Sequence, residues 1–309
     1  MSELPRVRCA GAPRDLGLDQ GRAARAAIRA ACPPRLAARL RELLAGGGVR
    51  GGARDLERFF PHHAERMQGL SLGAGVAAAA LLEQLEALLA GDGGLAAAVS
   101  SARAPGALVA RSLFGSADAF VIRESAPDND YRSLELASAM SPAAFIGVNE
   151  HGLAATATAL PAPAASLEGC AAPAQLLVQD VLQRFDTVEK AADWALRRPA
   201  GGHASVLLAD ASGRIAAVEI DGRTRRVSEA GATLLVGLGP TAATDALEKA
   251  LVEAQRLDAE PVARHLADAL APRTALLVLA DPFRRRLGIV SPALDQPVWF
   301  ELVPESAKG

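Results

Sequence analysis

Residue types able to carry chemistry are few in this 309-residue chain, and they are widely spread. The three cysteines, Cys9, Cys32 and Cys170, form no CxxC pair and supply neither a disulfide framework nor a zinc site. Cys170 follows Gly169 in a proline- and alanine-rich stretch, with no cation or histidine near it in sequence to favour a thiolate. His62 and His63, with Glu65, fall in a stretch of helical character in which positions 62 and 66 share a face. A metal there would need a ligand from elsewhere, and the spacing reads as a polar helix surface. His265 and Asp268 read as an exposed pair on another helix, and His151 and His203 as loop residues at strand ends. Gly237-Leu238-Gly239 joins a strand to a helix, where a phosphate cradle would sit. A third glycine is missing and the neighbouring strands are hairpins, so the glycines read as a helix start. No GxSxG, Walker or HExxH pattern occurs. No metal and no cofactor are expected.

Half of the residues are hydrophobic, with alanine prominent, and only 4% are aromatic, which points to a core built by close approach of helices and sheets. The net charge is −2 and no block of five like charges occurs, so neither nucleic acid nor an anionic membrane surface is an expected partner. Arg284-Arg285-Arg286 reads as a solvated turn between two strands. The chain has no run of about 18 apolar residues and opens without a signal-peptide pattern, so a cytoplasmic location is the expectation.

The elements that would position these residues are organised around 95–122. Residues 95–101 and 107–111 read as a hairpin turning through Arg103-Ala104-Pro105-Gly106 and centred near Ala104-Pro105, with Leu95 opposite about Phe114 and Ser100 opposite about Val109. Before it come a short strand at 5–9 and helices at 14–31, 35–45, 54–69 and 76–90, with 71–75 as a separator. After it come strands at 131–137 and 143–148, the turn Asn149-Glu150-His151-Gly152, and a return strand at 153–160. A loop at 161–173 leads to helices at 176–185 and 188–198, the second entered through Asp186-Thr187, an N-cap signal. A hairpin at 203–220, a strand at 233–237, helices at 242–257 and 261–270, and strands at 274–280, 287–290 and 298–303 complete the chain. Strand pairs alternating with helix pairs imply one α+β domain over 1–309: a four-layer αββα sandwich of two mainly antiparallel sheets covered by helices.

Four segments, in order, resemble the acyl-coenzyme A:6-aminopenicillanic acid acyltransferase family of N-terminal-nucleophile hydrolases. They are Gly11-Ala12-Pro13-Arg14-Asp15-Leu16-Gly17 with Gln20-Gly21, and Glu65-Arg66-Met67-Gln68-Gly69-Leu70 running to Gly73-Ala74-Gly75-Val76. Next come Ile146-Gly147-Val148-Asn149-Glu150-His151-Gly152-Leu153-Ala154, and then Leu208-Ala209-Asp210-Ala211-Ser212-Gly213 followed by Val218-Glu219. The resemblance covers about residues 5–303 and implies the same αββα sandwich. It makes 1–94 the counterpart of the family's helical pro-segment and 95–309 that of its catalytic chain.

It also implies where chemistry should sit, and there the sequence departs from the family. Family members cut themselves before a cysteine, whose freed α-amine then serves as its base. Here Gly93-Gly94 is followed by Leu95, which has no nucleophilic atom. The family's returning strand ends in a Q/R-N-x-D pattern. This chain has Arg111, Ser112, Leu113 and Phe114, so phenylalanine takes the place of the orienting aspartate. The oxyanion-hole asparagine of a T-N-H strand end is replaced in TLLVGLG at 233–239, at Gly237; one such donor alone is worth ~100–1,000-fold in rate. Ser100 as a relocated nucleophile would lie deep in the hairpin, close to its turn. The reading is a pseudoenzyme that stays uncut and binds a small acylated or peptide-like metabolite, or a partner such as a paralogous protein. The alternative is an enzyme with repurposed cleft chemistry, Arg111 clamping an anion and Ser112 or His151 acting as acid or base, with Asn149 among the polar lining. A third alternative, a shifted alignment hiding an ordinary hydrolase, is limited by the cysteines, none of which opens a strand after a glycine loop.

Overall fold

The structure, a computed structural model, describes residues 4–32, 49–90, 94–100, 107–113, 119–160, 173–221, 224–229, 233–237, 276–290 and 297–302. Strand β1 (Arg6–Gly11) leads into helices α1 (Pro13–Ala23), α2 (Arg25–Ala31), α3 (Val49–Phe59), α4 (Pro61–Ala74) and α5 (Ala78–Ala90). Strands β2 (Leu95–Ser100), β3 (Ala107–Leu113), β4 (Phe120–Pro127), β5 (Ser133–Ser138), β6 (Ala144–Asn149) and β7 (Leu153–Ala159) follow. Helices α6 (Gln175–Arg184) and α7 (Val188–Ala195) precede β8 (His203–Asp210), β9 (Ile215–Asp221), β10 (Thr224–Glu229) and β11 (Thr233–Gly237). The chain returns as β12 (Leu276–Asp281), β13 (Arg286–Val290) and β14 (Val298–Glu301).

These strands form two sheets, one of order β1-β4-β5-β6-β7-β8-β9-β10 and one of order β11-β2-β3-β12-β13-β14. Only β1 and β4 run parallel among the described pairs. Alternation along each strand divides the core. Ala154, Leu207 and Ala209 of the larger sheet meet Ala96, Ala98, Val109 and Leu113 of the smaller one, with the Phe120 and Phe145 rings 5.8 Å apart. Their neighbours Ala155, Val206 and Leu208 face the other way, onto Leu177, Val181 and Ala191 of α6 and α7. A third apolar cluster joins Val7 and Val121 to Leu16, Ile28, Met67 and Leu70 of the N-terminal helices. The mixed α+β fold with two facing sheets is as expected, and helices cover the larger sheet. The helices expected at 35–45, 242–257 and 261–270 lie outside the described residues, as do Phe114, Cys170, His265 and Asp268. No described helix is long and apolar enough to cross a membrane.

Two of the family-like segments prove to be halves of one contact. A Cβ on Gly17 would lie 1.9 Å from the Arg66 carbonyl oxygen, and one on Gly69 would lie 1.9 Å from that of Arg14. Gly21 and Gly73 are nearly as tight, against the carbonyls of Leu70 and Leu18 at 2.4 Å. Four glycines, paired four residues apart on each helix, therefore let α1 and α4 cross backbone to backbone.

Several boundaries differ from expectation for physical reasons. Leu95 lies opposite Ser112, not Phe114, and Ser100 opposite Ala107, not Val109, because the β2–β3 register is centred ahead of the proline rather than on it. The helix expected at 54–69 breaks at Phe60, since Pro61 lacks an N–H and takes the first position of a new helix. That helix runs through 71–75 and ends at Gly75, whose φ of 75° makes the cap. The helix expected at 14–31 breaks at Ala24. Strands β4 and β10 were not expected. Alanine at Gly17 or Gly69 should cost ~3 kcal/mol or more, because backbone must move to admit the methyl. Alanine at Gly202, with φ of 82° and open space around it, should cost only about 1 kcal/mol. Urea unfolding of the three variants measures the difference.

Candidate functional site

The family resemblance directs attention first to the start of β2. Leu95 is buried, and both of its backbone groups are tied to one side chain: its N–H donates to Ser112 Oγ at 2.8 Å and its carbonyl accepts from that hydroxyl at 3.3 Å. Gly94 is pressed against β3, since a Cβ there would meet the Ser112 carbonyl at 2.1 Å. The Gly94 carbonyl accepts from Thr158 Oγ1 of β7 at 2.8 Å, which ties the two sheets together. Gly237 of β11 pairs with Leu95 through the backbone. The pleat places Arg111 with Val109 and Leu113 on the intersheet face, and Ser112 on the opposite face. Arg111 and Ser112 thus do not converge.

His151 and Asn149 sit at the far end of β7 from Thr158, roughly 20 Å away at ~3.3 Å per residue. Asn149 holds its turn together there. Its Nδ2 donates to the carbonyls of Leu182 and Phe185 at 2.8 and 2.7 Å, and its Oδ1 accepts from the N–H groups of His151 and Leu153. His151 is exposed and rests on Tyr131, ring centroids 4.1 Å apart. Cys9 and Cys32 are buried, and burial raises both thiols above their ordinary pKa, so neither favours the thiolate form. At the Leu95 end, Thr158, Ser205, Glu219 and Arg226 are successive cross-strand neighbours over β7–β10. Ala154, Leu207, Ala209, Ile215 and Ala217 fix this as the intersheet face.

A second constellation lies on the helix side of the larger sheet. His63 is 1% exposed, which corrects the expectation of a polar helix surface. The reason is Asp180 on α6, 117 positions away in sequence, whose Oδ1 accepts from His62 Nε2 at 2.5 Å and His63 Nε2 at 3.0 Å. Burial lowers the His63 pKa to about 4, so its ring is neutral at pH 7, with its proton on the Nε2 that faces Asp180. Burial works to raise the Asp180 carboxyl, but the two imidazoles outweigh it and hold it well below the usual carboxylate range. The three donor atoms lie within 4.8 Å of one another, a spacing that a metal ion could use. They are already bonded to each other, however, and Arg184 Nη2 stands 3.4 Å from His62 Nε2, which disfavours a cation.

Beside this group lies a cavity of about 190 Å³, lined in part by the Gly11-Ala12-Pro13 entry to α1, by His62, His63 and Arg66 of α4, and by Gln183 and Arg184. Arg66 is 2% exposed and donates from Nη2 to Ser125 Oγ at 3.0 Å. Glu135, the nearest carboxylate of the buried network, is held by Arg123 at 2.6 Å and by Gln179 at 2.6 Å. Burial, then repulsion from Arg123, lowers the Arg66 pKa to about 10, which leaves it charged at neutral pH.

The His63 pKa fixes a pH dependence. Its folded value of about 4 lies below the 6.5 of the unfolded chain, so protonation favours unfolding. The stability it contributes is complete above 6.5 and is lost as the pH falls towards 4. The gap corresponds to roughly 3 kcal/mol. Asp180 begins to contribute its own loss only below about pH 4, where the unfolded carboxyl protonates. Urea titrations between pH 7 and 4 should show this slope in the wild type and a shallower one in His63→Gln.

No family model matches the sequence, and no curated protein matches it. Among solved structures, the chain is similar to penicillin V acylase from Agrobacterium tumefaciens at 15% identity, with 68% of this chain and 86% of that one covered and a TM-score of 0.45. It is similar to a mutant of conjugated bile acid hydrolase from Clostridium perfringens at 11% identity, covering 67% and 92%, TM-score 0.44. It is also similar to the Caenorhabditis elegans ortholog of N-acylethanolamine-hydrolyzing acid amidase at 12% identity, covering 61% and 93%, TM-score 0.49. The fold described above rests on its own sheet order and packing.

Proposed function

We propose that this chain is a non-acylating relative of the N-terminal-nucleophile acyltransferases and amidases, kept as one uncut polypeptide and used for binding. The observation that carries this reading is Leu95, whose side chain has no nucleophilic atom. An acyl-transfer site of this class needs a thiol or hydroxyl at that place, and Leu95 offers none. The intersheet row of Thr158, Ser205, Glu219 and Arg226 supplies hydroxyl, carboxylate and guanidinium groups at the same end of the sandwich. Such groups suit the amide and carboxylate of a small acylated or peptide-like metabolite; a paralogous protein is the other candidate partner.

Intact mass spectrometry of the purified protein should give one species near 31.8 kDa. The variant Leu95→Cys should also stay uncut, because Phe114 and Gly237 occupy the places of the orienting and oxyanion groups. Two fragments separated between residues 94 and 95 in the wild type would overturn the proposal.

A further inference from the structure

We infer that the cavity beside His63 and Arg66 binds a small α-amino-acid-like zwitterion, through its carboxylate on Arg66 and Gln183 and its ammonium towards His63 and the acidic mouth. Three buried side chains of the cavity lining, Arg66, Gln183 and His63, each carry a nitrogen with no hydrogen-bond partner among the described residues: Arg66 Nε, Gln183 Nε2 and His63 Nδ1. Each belongs to a side chain less than 10% exposed. Leaving a buried polar group unpaired costs about 1–3 kcal/mol, and more for a charged one, and an occupant towards which these side chains turn would recover that cost.

Their chemistry specifies it. Arg66 Nε and Gln183 Nε2 are donors, and the Arg66 charge has no carboxylate of its own, so this end takes an anion. Helices α1 and α4 both begin at the cavity with proline first and no side-chain cap, which adds positive potential at the same place. His63 is the opposite case: with Nε2–H given to Asp180, its Nδ1 is a bare acceptor that a carboxylate or phosphate would repel and an ammonium would satisfy. Arg184 lines the His62 side of the cavity, and Asp128 and Asp130, exposed at its mouth, outnumber it, so a positive group is favoured at the mouth and a dianion disfavoured. The volume lies below the roughly 300–1,000 Å³ of drug-sized sites, which limits the ligand to amino-acid size. This site lies in the helix layer and does not depend on the reading of Leu95.

Calorimetry and thermal melting of the full chain test the inference. The probes are a panel of small α-amino acids, acetate, propionate, ethylamine, inorganic phosphate and Zn²⁺ alone. At least one amino acid should bind and raise the melting temperature, while acetate, ethylamine and phosphate do so at least tenfold more weakly. Gln183→Leu should weaken the amino acid about tenfold. The exposed double variant Asp128→Asn/Asp130→Asn should weaken it while leaving the weak acetate binding unchanged or tighter. Arg66→Met should abolish binding, and if it fails to fold, the other two variants decide. Equal binding of acetate or phosphate, stoichiometric binding of Zn²⁺ in their place, or no response to any amino acid would overturn it.

Discussion

The backbone-to-backbone crossing of α1 and α4 is the constraint on which the rest of the helix layer depends. With Gly17, Gly21, Gly69 and Gly73 at the contact, two helices approach closely enough for each to meet the other's carbonyl groups. Neither helix can then slide or rotate without a clash. That rigidity has consequences on both sides of the contact. From α1, Gln20 reaches down to the carbonyls of Ser138, Ala139 and Ser141 at the end of β5. From α4, Arg66 reaches Ser125 on β4 and His63 reaches Asp180 on α6. One crossing therefore registers the N-terminal helices against the larger sheet and against α6.

Beneath it lies a buried polar cluster rather than an apolar seam. Arg123 gives Nε to Glu135 at 2.6 Å, Nη1 to Gln20 Oε1 at 2.7 Å, and Nη2 to the Pro142 carbonyl at 3.1 Å and to Gln179. Glu135 accepts in addition from Ser133 and Gln179. Burial alone would raise the Glu135 carboxyl, and Arg123 followed by Arg66 brings it down instead. An isolated buried ion pair is weak evidence of stability, because desolvation offsets the attraction. Here the gain is geometric: the cluster joins α1, α6, β4 and β5 through directional bonds that an apolar core would not specify. With Arg66 it carries two cations against one carboxylate, and the surplus charge faces the cavity.

Much of the scaffold was legible because its signals are local. Strand pairs at 144–159 and 203–221 follow from turn residues between β-rich runs, and Gly152 occupies a φ of 79° where its turn demands it. Thr187 caps α7 as its type implies, accepting from the Lys190 N–H. What escaped was non-local. β4 carries Arg123, Glu124 and Ser125 in its middle, polar residues that give no strand signal until Glu135 and Arg66 are placed beside them. β10 reads Thr-Arg-Arg-Val-Ser-Glu, an edge strand whose alternation is only partly apolar. His63 gave no sign of burial because the carboxylate that pairs with it comes from another helix, far along the chain. The spacing of Gly17 and Gly21 with Gly69 and Gly73 was the available signal that Arg66 would face inward, since a small-residue stripe fixes which side of α4 meets α1; His63 falls instead on the face of Met67 and Leu70.

The family-like segments turn out to be architectural. The glycine segments make the helix crossing, and the Gly147–Gly152 stretch closes a turn on which Asn149 anchors the end of α6. Asp210 bonds the N–H of Val188 at the start of α7 as well as Ser212 in its own turn. None of these contacts uses a nucleophile. Even at Leu95 the surroundings engage backbone: Ser112 and Thr158 bond the Leu95 amide and the Gly94 carbonyl, and Gly94 is required by the close approach of β3. The bonds that hold the start of β2 therefore run through backbone groups and do not depend on the side chain at position 95. Physical constraint at that end of the sandwich falls on the chain's course, through the close approach of Gly94 to β3 and the backbone bonds to Ser112 and Thr158.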